Sequence, residues 1–442
     1  MIKKFALTFG TSLAILSMNI VTGILTARLL GPLGKGQLTA VTLWPVILAS
    51  VGSLGLVNAI VYYSGKSSDE KTQTIWSGSF TIGLIQTLVL ITLGFFLLPF
   101  IMGQYSNEMI WIARFYLLFI PLNIFNLYGT SMFLGRMRIV PYNILRFLVF
   151  GIYFVGVIIL AFLDKVSVQT CTAVLLASNA IVLIVKLFWM KKLGWLGNKI
   201  DFSLIRHMLG YGLKSHIGNI SSLLNLRMDQ MAMAIFLTPD MLGLYIVAVT
   251  TSSGVSLIAR SIATLSFPTI SAQNIPEMKK MVFARSIRLT FWFSALIATG
   301  LFLTIDFLII ILFGQAYSQA VPAARVLIVA VFIAGLNMTL ASGLKGYGKP
   351  DISSLGELIS LFFTGILLWL FLPRWGILGA AVASLVAYSC NFLFMYLYIW
   401  RKSLVNLKET LLPQTEDYSD FKSLITSVRK NKFFSSGKEV SF

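Results

Sequence analysis

The chain has 442 residues, 57% of them hydrophobic and only 12% charged, with a formal net charge of +19 and a mean hydropathy of +0.85. Soluble domains carry about 25% charged residues, which excludes a string of soluble domains. A basic excess of this size would suggest nucleic acid in a soluble protein; here it reads as loop cations that set membrane topology, and no nucleic-acid partner is expected.

Met1-Ile2-Lys3-Lys4 starts like a signal peptide. No small-residue cleavage site follows and the apolar run is too long, so the segment is expected to remain as a first helix. Twelve apolar segments follow one another, at roughly 6–28, 39–63, 77–101, 110–134, 142–163, 169–190, 213–237, 242–266, 287–313, 321–343, 353–373 and 377–400. Each reaches the length of about 20 residues that a helix needs to cross a bilayer. Barrel strands would be shorter and would alternate in polarity. The expected fold class is therefore an all-α polytopic membrane protein of about twelve transmembrane helices. Pro45, Pro121 and Pro268 are expected to kink spans 2, 4 and 8.

The longest internal gap, 191–212, divides the chain near its middle and contains Asp201 to Leu209, a candidate interfacial helix. The expected parts are an N-terminal six-helix bundle over 1–190, a cytoplasmic linker over 191–212, a C-terminal six-helix bundle over 213–400 and a cytoplasmic tail over 401–442. In the tail, Phe421, Leu424, Ile425 and Val428 have helical spacing after a candidate cap at Ser419. A tail without regular structure is the open alternative.

Charge gives the orientation. Of the 35 basic residues, only Arg28, Lys35, Arg114, Lys165, Arg325 and Arg374 fall in odd-numbered gaps, and Arg227 and Arg260 fall inside spans. All the others, Lys186 among them, are assigned to even-numbered gaps and the two ends. Cytoplasmic loops hold the excess of Lys and Arg, which places both termini in the cytoplasm. The halves also repeat. Leu30-Gly31-Pro32-Leu33-Gly34-Lys35-Gly36 follows span 1, and Leu237-Thr238-Pro239-Asp240-Met241-Leu242-Gly243 follows span 7, with Pro and Gly at one offset. Basic glycine turns at 134–138 and 345–350 end spans 4 and 10. Six spans repeated in the same orientation imply parallel repeats about an axis along the membrane normal.

Chemistry-bearing motifs are missing. Gly31 to Gln37 lacks the spacing and the final Ser or Thr of a P-loop and reads as a turn. No paired carboxylates, nucleophile motif or Cys/His cluster appears, so no enzyme, cofactor or metal site is expected. Cys171 and Cys390 lie in apolar spans and read as packing residues. His207 and His216 read as interfacial. With no ATP-binding domain, transport would run on a gradient or be passive.

Polar residues inside spans mark the candidate site, because a charge there costs at least about 2.5–3.5 kcal/mol. In span 7, Asn219 and Ser222, then Asn225 or Arg227 and Asp229, recur at near-helical spacing, and span 8 carries Arg260. Arg227 and Arg260, with Asn225 and Asn219, are the substrate-binding candidates, and Arg28 at the end of span 1 is a further one. Arginine stays charged in any surroundings and grips phosphate with two parallel hydrogen bonds, so an anionic substrate fits. The competing reading is an internal Arg227–Asp229 pair. Asp229, Glu357 and Asp306 are the candidates for ion coupling, by proton or sodium; Asp306 and Glu357 could equally sit in interfacial water.

Ala27-Arg28-Leu29-Leu30-Gly31-Pro32-Leu33-Gly34-Lys35-Gly36 resembles the opening signature of polysaccharide flippases. Arg227-Met228-Asp229-Gln230, followed by Gly243-Leu244-Tyr245-Ile246-Val247-Ala248, resembles their seventh helix and the start of the eighth. Over about 1–400 the chain resembles the oligosaccharide-lipid flippases of the multidrug/oligosaccharidyl-lipid/polysaccharide exporter superfamily. The resemblance implies two six-helix bundles in a V around a central cavity, with alternating access. It implies an undecaprenyl-diphosphate-linked sugar as substrate, as in O-antigen, lipopolysaccharide or capsule assembly in a bacterial inner membrane. Membrane lipids and assembly partners such as a polysaccharide polymerase and chain-length proteins complete that expectation. A drug/cation antiporter of the same fold is the nearest rival, a membrane-embedded polysaccharide polymerase a rival of another class, and a passive channel the remotest.

Overall fold

A computed structural model describes residues 2–66, 69–197, 199–405, 410 and 412. Side chains of 2–6, 69, 70, 217–219, 221 and 222 are outside the description. The tail positions Ser419, Phe421, Leu424, Ile425 and Val428 also lie outside the described residues.

The described residues form helices and turns, with no strand among them. In chain order the helices are α1 (Ile2–Gly52), α2 (Leu56–Lys66), α3 (Asp69–Ile101), α4 (Asn107–Tyr116), α5 (Phe119–Gly135), α6 (Ile139–Phe162) and α7 (Val168–Lys192). They continue as α8 (Phe202–Phe236), α9 (Pro239–Ser252), α10 (Ser256–Ala272), α11 (Pro276–Phe313), α12 (Val321–Gly346) and α13 (Pro350–Arg401). Short 3₁₀ segments cover Ser253–Val255 and Gln315–Ala320. Helix is forced here, because in hydrocarbon every backbone N–H and C=O must be satisfied within its own segment.

Nine stretches among the described residues are long and apolar enough to cross a membrane. Two of them, Leu7–Gly52 and Pro350–Arg401, have 46 and 52 residues. As straight helices they would measure about 69 and 78 Å, more than twice the hydrocarbon thickness of about 30 Å. Both contain a glycine with non-helical geometry, Gly31 (φ 66°, ψ 179°) and Gly376 (φ 55°, ψ −131°). The chain folds back at each. Lys35 Nζ donates to Thr26 Oγ1 at 2.8 Å, across a separation that a straight helix would hold far beyond the reach of one side chain. Gly379 likewise returns against the Phe371 carbonyl. Each long stretch is thus a pair of spans, and α8, with 35 residues, takes the place of span 7. The twelve expected spans are all accounted for: the protein is an all-α, multi-pass membrane protein.

Helix ends coincide with only one of the three prolines. Pro121 does interrupt its span: α4 ends at Tyr116 and α5 begins at Phe119, where the proline ring would crowd the carbonyl four residues earlier. Helices α1 and α10 run through Pro45 and Pro268 without interruption. The other breaks fall at Leu54 and Gly55, both with positive φ, and at Ser253–Val255. The expected interfacial helix at Asp201–Leu209 is not separate. Asp201 caps α8 by accepting the Leu204 N–H at 3.0 Å, and the helix then continues to Phe236.

The described residues cluster into two compact units. The first comprises the described residues of 1–252, 304–327 and 361–384; the second comprises those of 253–303, 328–360 and 385–412. Within the first unit α1 packs on α9 and α6, α2 on α5 and α8, and α5 on α7. The second unit has a core of Ile270, Phe283, Leu340, Leu344, Met395 and Ile399. Gly343 admits the Phe283 ring there, where any larger residue would collide with it. Large apolar side chains such as Phe100, Phe162, Leu303 and Trp369 are exposed by 74% or more, as expected where the solvent is lipid.

Candidate functional site

The polar segment of α8 ends in two linked contacts. Asp229, buried, accepts the Tyr245 hydroxyl of α9 at 2.6 Å through Oδ2 and the Gln230 backbone N–H at 2.7 Å through Oδ1. Arg227, half-buried, donates through Nη1 to the Gln230 side-chain oxygen at 2.7 Å. The direct Arg227–Asp229 pair does not form: two residues apart on a helix, the side chains diverge by about 200°. Asp229 ties α8 to α9 instead, and the remaining N–H donors of the Arg227 guanidinium have no partner among the described residues. Asn225 is half-buried one turn earlier, whereas the Asn219 side chain lies outside the described residues.

Arg260 lies on α10, in the second unit, and is exposed. Its carbonyl accepts the Thr264 hydroxyl at 2.7 Å. Arg227 belongs to the first unit, so each arginine is placed on its own.

Arg28 has a different setting from the one expected. Its guanidinium donates to the carbonyl oxygens of Ile311 and Leu312, the latter at 2.8 Å. These are among the last carbonyls of α11, which lack partners within their helix, and a cation there complements the helix dipole. Asp306 pairs with Arg325 at 2.5 Å, both side chains about half exposed. Glu357 is half-buried on α13.

Two lysines escaped the sequence reading. Lys186, assigned there to a cytoplasmic gap, is 1% exposed within α7. Its ammonium donates to the Asn126 carbonyl at 2.6 Å, the Asn126 side-chain oxygen at 2.8 Å and the Thr130 hydroxyl at 2.8 Å. Three donors meet three neutral oxygens. Gly129 makes room for the lysine stem, since a Cβ there would meet Lys186 Cδ at 2.5 Å. The signal was present in part, for span 6 was drawn over 169–190 and already enclosed this residue. Lys35 was read as a loop cation, but the fold-back at Gly31 turns it onto Thr26 and the Gly23 carbonyl.

Comparison with known proteins fits this architecture. A family model described as polysaccharide biosynthesis protein matches residues 25–322. An uncharacterized membrane protein of Methanocaldococcus jannaschii is 24% identical over 326 residues, covering 72% of this chain and 59% of the relative. The probable low-salt glycan biosynthesis flippase Agl15 of Haloferax volcanii is 23% identical over 230 residues, covering 51% of this chain and 48% of the relative. The chain thus spans about half to three-fifths of these curated relatives. The structure superposes on the lipid II flippase MurJ in an inward closed conformation with a TM-score of 0.76 at 15% identity, covering 99% of this chain and 94% of that one. An inward-facing multidrug resistance MATE transporter of the MOP superfamily gives 0.67 at 15% identity, covering 87% and 95%. The fold is the one these transporters share.

Proposed function

We propose a function from one premise: the chain belongs to the polysaccharide biosynthesis protein family. It is a flippase-like multi-pass membrane protein with a MOP-superfamily transporter fold. On our reading it moves a polyprenyl-diphosphate-linked oligosaccharide from the cytoplasmic to the outer leaflet of the cytoplasmic membrane, for surface polysaccharide assembly. The N-terminal half, 1–190, and the C-terminal half, 213–400, would alternate access to the substrate, with 191–212 as tether. The observation that carries the reading is the Arg227 guanidinium, held within α8 by a neutral side chain with its other donors unengaged. Such a group suits a diphosphate. Arg260 supports it as the second embedded arginine, and Asp229 is the favoured coupling group for a proton or sodium ion.

A drug/cation antiporter would call for embedded carboxylates in the first half. Before residue 190 the only acidic residues are Asp69, Glu70, Glu108 and Asp164, all at span ends.

The test is translocation of a fluorescent undecaprenyl-diphosphate sugar in vesicles holding the purified protein. Arg227→Ala or Arg260→Ala should lower the rate at unchanged protein abundance. Arg→Lys should restore part of it, because the charge returns without the two-pronged grip. Wild-type transport by the double alanine variant would end the proposal.

A further inference from the structure

The first turns of α8, with Tyr63 of α2, line an open cavity of about 810 Å³ that includes Phe202, Arg206, His207, Tyr211 and Lys214. The register of α8 explains this face. Met208, Gly212 and His216, four residues apart, are buried. Gly212 lies against the Leu54–Leu56 backbone, and His216 Nε2 donates to the Val51 carbonyl at 2.9 Å. With that stripe fixed, positions 203, 207, 211 and 214 turn to the cavity over three helical turns, about 16 Å.

The wall opposite is aromatic. Tyr62 stacks on Tyr211 with centroids 4.7 Å apart and planes inclined by 18°, and Tyr63 meets Tyr211 edge-on at 6.3 Å. Lys66 covers Tyr62 at 4.1 Å. The cations in the cavity are not spent on the protein itself. Arg206 and Lys214 have no hydrogen-bond or ion-pair partner among the described residues. His207 engages only Nδ1, with the Ser203 carbonyl at 2.7 Å. Phe202, 78% exposed, adds apolar surface suited to lipid at the cavity. Loop cations that serve topology alone need neither a concave site nor a tyrosine platform. Convergent cations suit a phosphate, and Tyr63 and Tyr211, which line the cavity, offer ring surface to the C–H side of a sugar.

We propose that this cavity docks the phosphate-bearing head of a polyprenyl-linked sugar before the lipid passes to the embedded arginines. The proposal rests on the flippase reading. Its chemistry is shared with anionic phospholipid heads, and the test separates the two sources.

The full-length protein in detergent is labelled with a photoreactive undecaprenyl diphosphate, and modified peptides are mapped by mass spectrometry. Labelling should fall within 202–214. The Arg206→Gln/Lys214→Gln double variant should need about tenfold more probe for equal labelling there, at an unchanged melting temperature because neither side chain has a partner to lose. Tyr211→Leu should weaken capture of a sugar-bearing probe more than that of the bare diphosphate. Unlabelled undecaprenyl diphosphate should compete where phosphatidylglycerol at the same mole fraction does not. Equal competition by phosphatidylglycerol, wild-type labelling of the double variant, or no labelling in 202–214 would each overturn the proposal. Transport measured on the same preparation separates the two readings. Labelling without any transport would uphold the head-group site and remove the flippase function, whereas transport without labelling in 202–214 would remove the site alone.

Discussion

Gly243 lies so near Pro32 that a methyl group on it would overlap the Pro32 carbonyl, and Gly36 stands in the same relation to Pro239. Both glycines follow their own proline by four residues, so α1 and α9 meet through equivalent atoms of the two repeated segments. A reciprocal contact of this kind is what a two-fold axis between repeats produces.

The obstructing atoms are backbone and cannot swing aside. Gly36→Ala and Gly243→Ala should each destabilise by about 1–3 kcal/mol, read as a lower melting temperature in detergent and slower transport. Gly10→Ala, with open space around it, is the control. Unaltered melting of both variants would contradict the close approach.

Topology can be checked by labelling single cysteines. Lys165→Cys, in a gap of few cations, should react with an impermeant thiol reagent from outside. Lys349→Cys, in a basic gap, should react only after the membrane is opened. Labelling of Lys349→Cys in intact cells would reverse the orientation.

Lys186→Met keeps most of the stem volume but takes its donor from the Asn126 side-chain oxygen, while the Asn126 carbonyl and the Thr130 hydroxyl keep their mutual bond at 2.7 Å. A buried group stripped of its partner costs about 1–3 kcal/mol. We expect a fall in melting temperature, partly reversed by replacing Asn126 with Leu as well. A neutral single substitution would show that the ammonium is not held there.

Two aspartates should behave unlike each other. Asp229→Ala removes a buried carboxylate that accepts the Tyr245 hydroxyl of α9 and should cost about 1–3 kcal/mol. Asp306→Ala removes a half-exposed pair and should cost no more than about 1 kcal/mol. Comparable melting shifts for the two would refute the assigned settings.

The spans were legible because hydropathy records contact with lipid. Reversal of direction was not fully legible. At Gly31 and Gly376 the chain turns with almost no polar linker, and composition alone cannot distinguish such a turn from a glycine inside a helix. Proline marks a helix boundary at Pro121, while the helices holding Pro45 and Pro268 continue past them. The placement of Arg227 in a span was legible, but its partner Gln230 was not, since any of several polar neighbours on α8 had the right spacing. The burial of Lys186 depends on Asn126 and Thr130, far away along the chain and unremarkable in themselves. The cavity beside α8 needed Tyr62 and Tyr63 brought next to Tyr211, a pairing that no local pattern announces.

The cradle of Lys186 also bears on how the protein is made. Asn126 precedes Lys186 by 60 residues, so during synthesis α5 leaves the ribosome before α7 does. When the lysine arrives, its oxygen acceptors are already in the bilayer, and the ammonium can leave water for a ready-made site. A chain whose α5 lacked those oxygens would present a bare cation to the translocon, at a cost of about 2.5–3.5 kcal/mol. The fault would then show as failed insertion of α7 during biogenesis, before any folded transporter existed to be inactive.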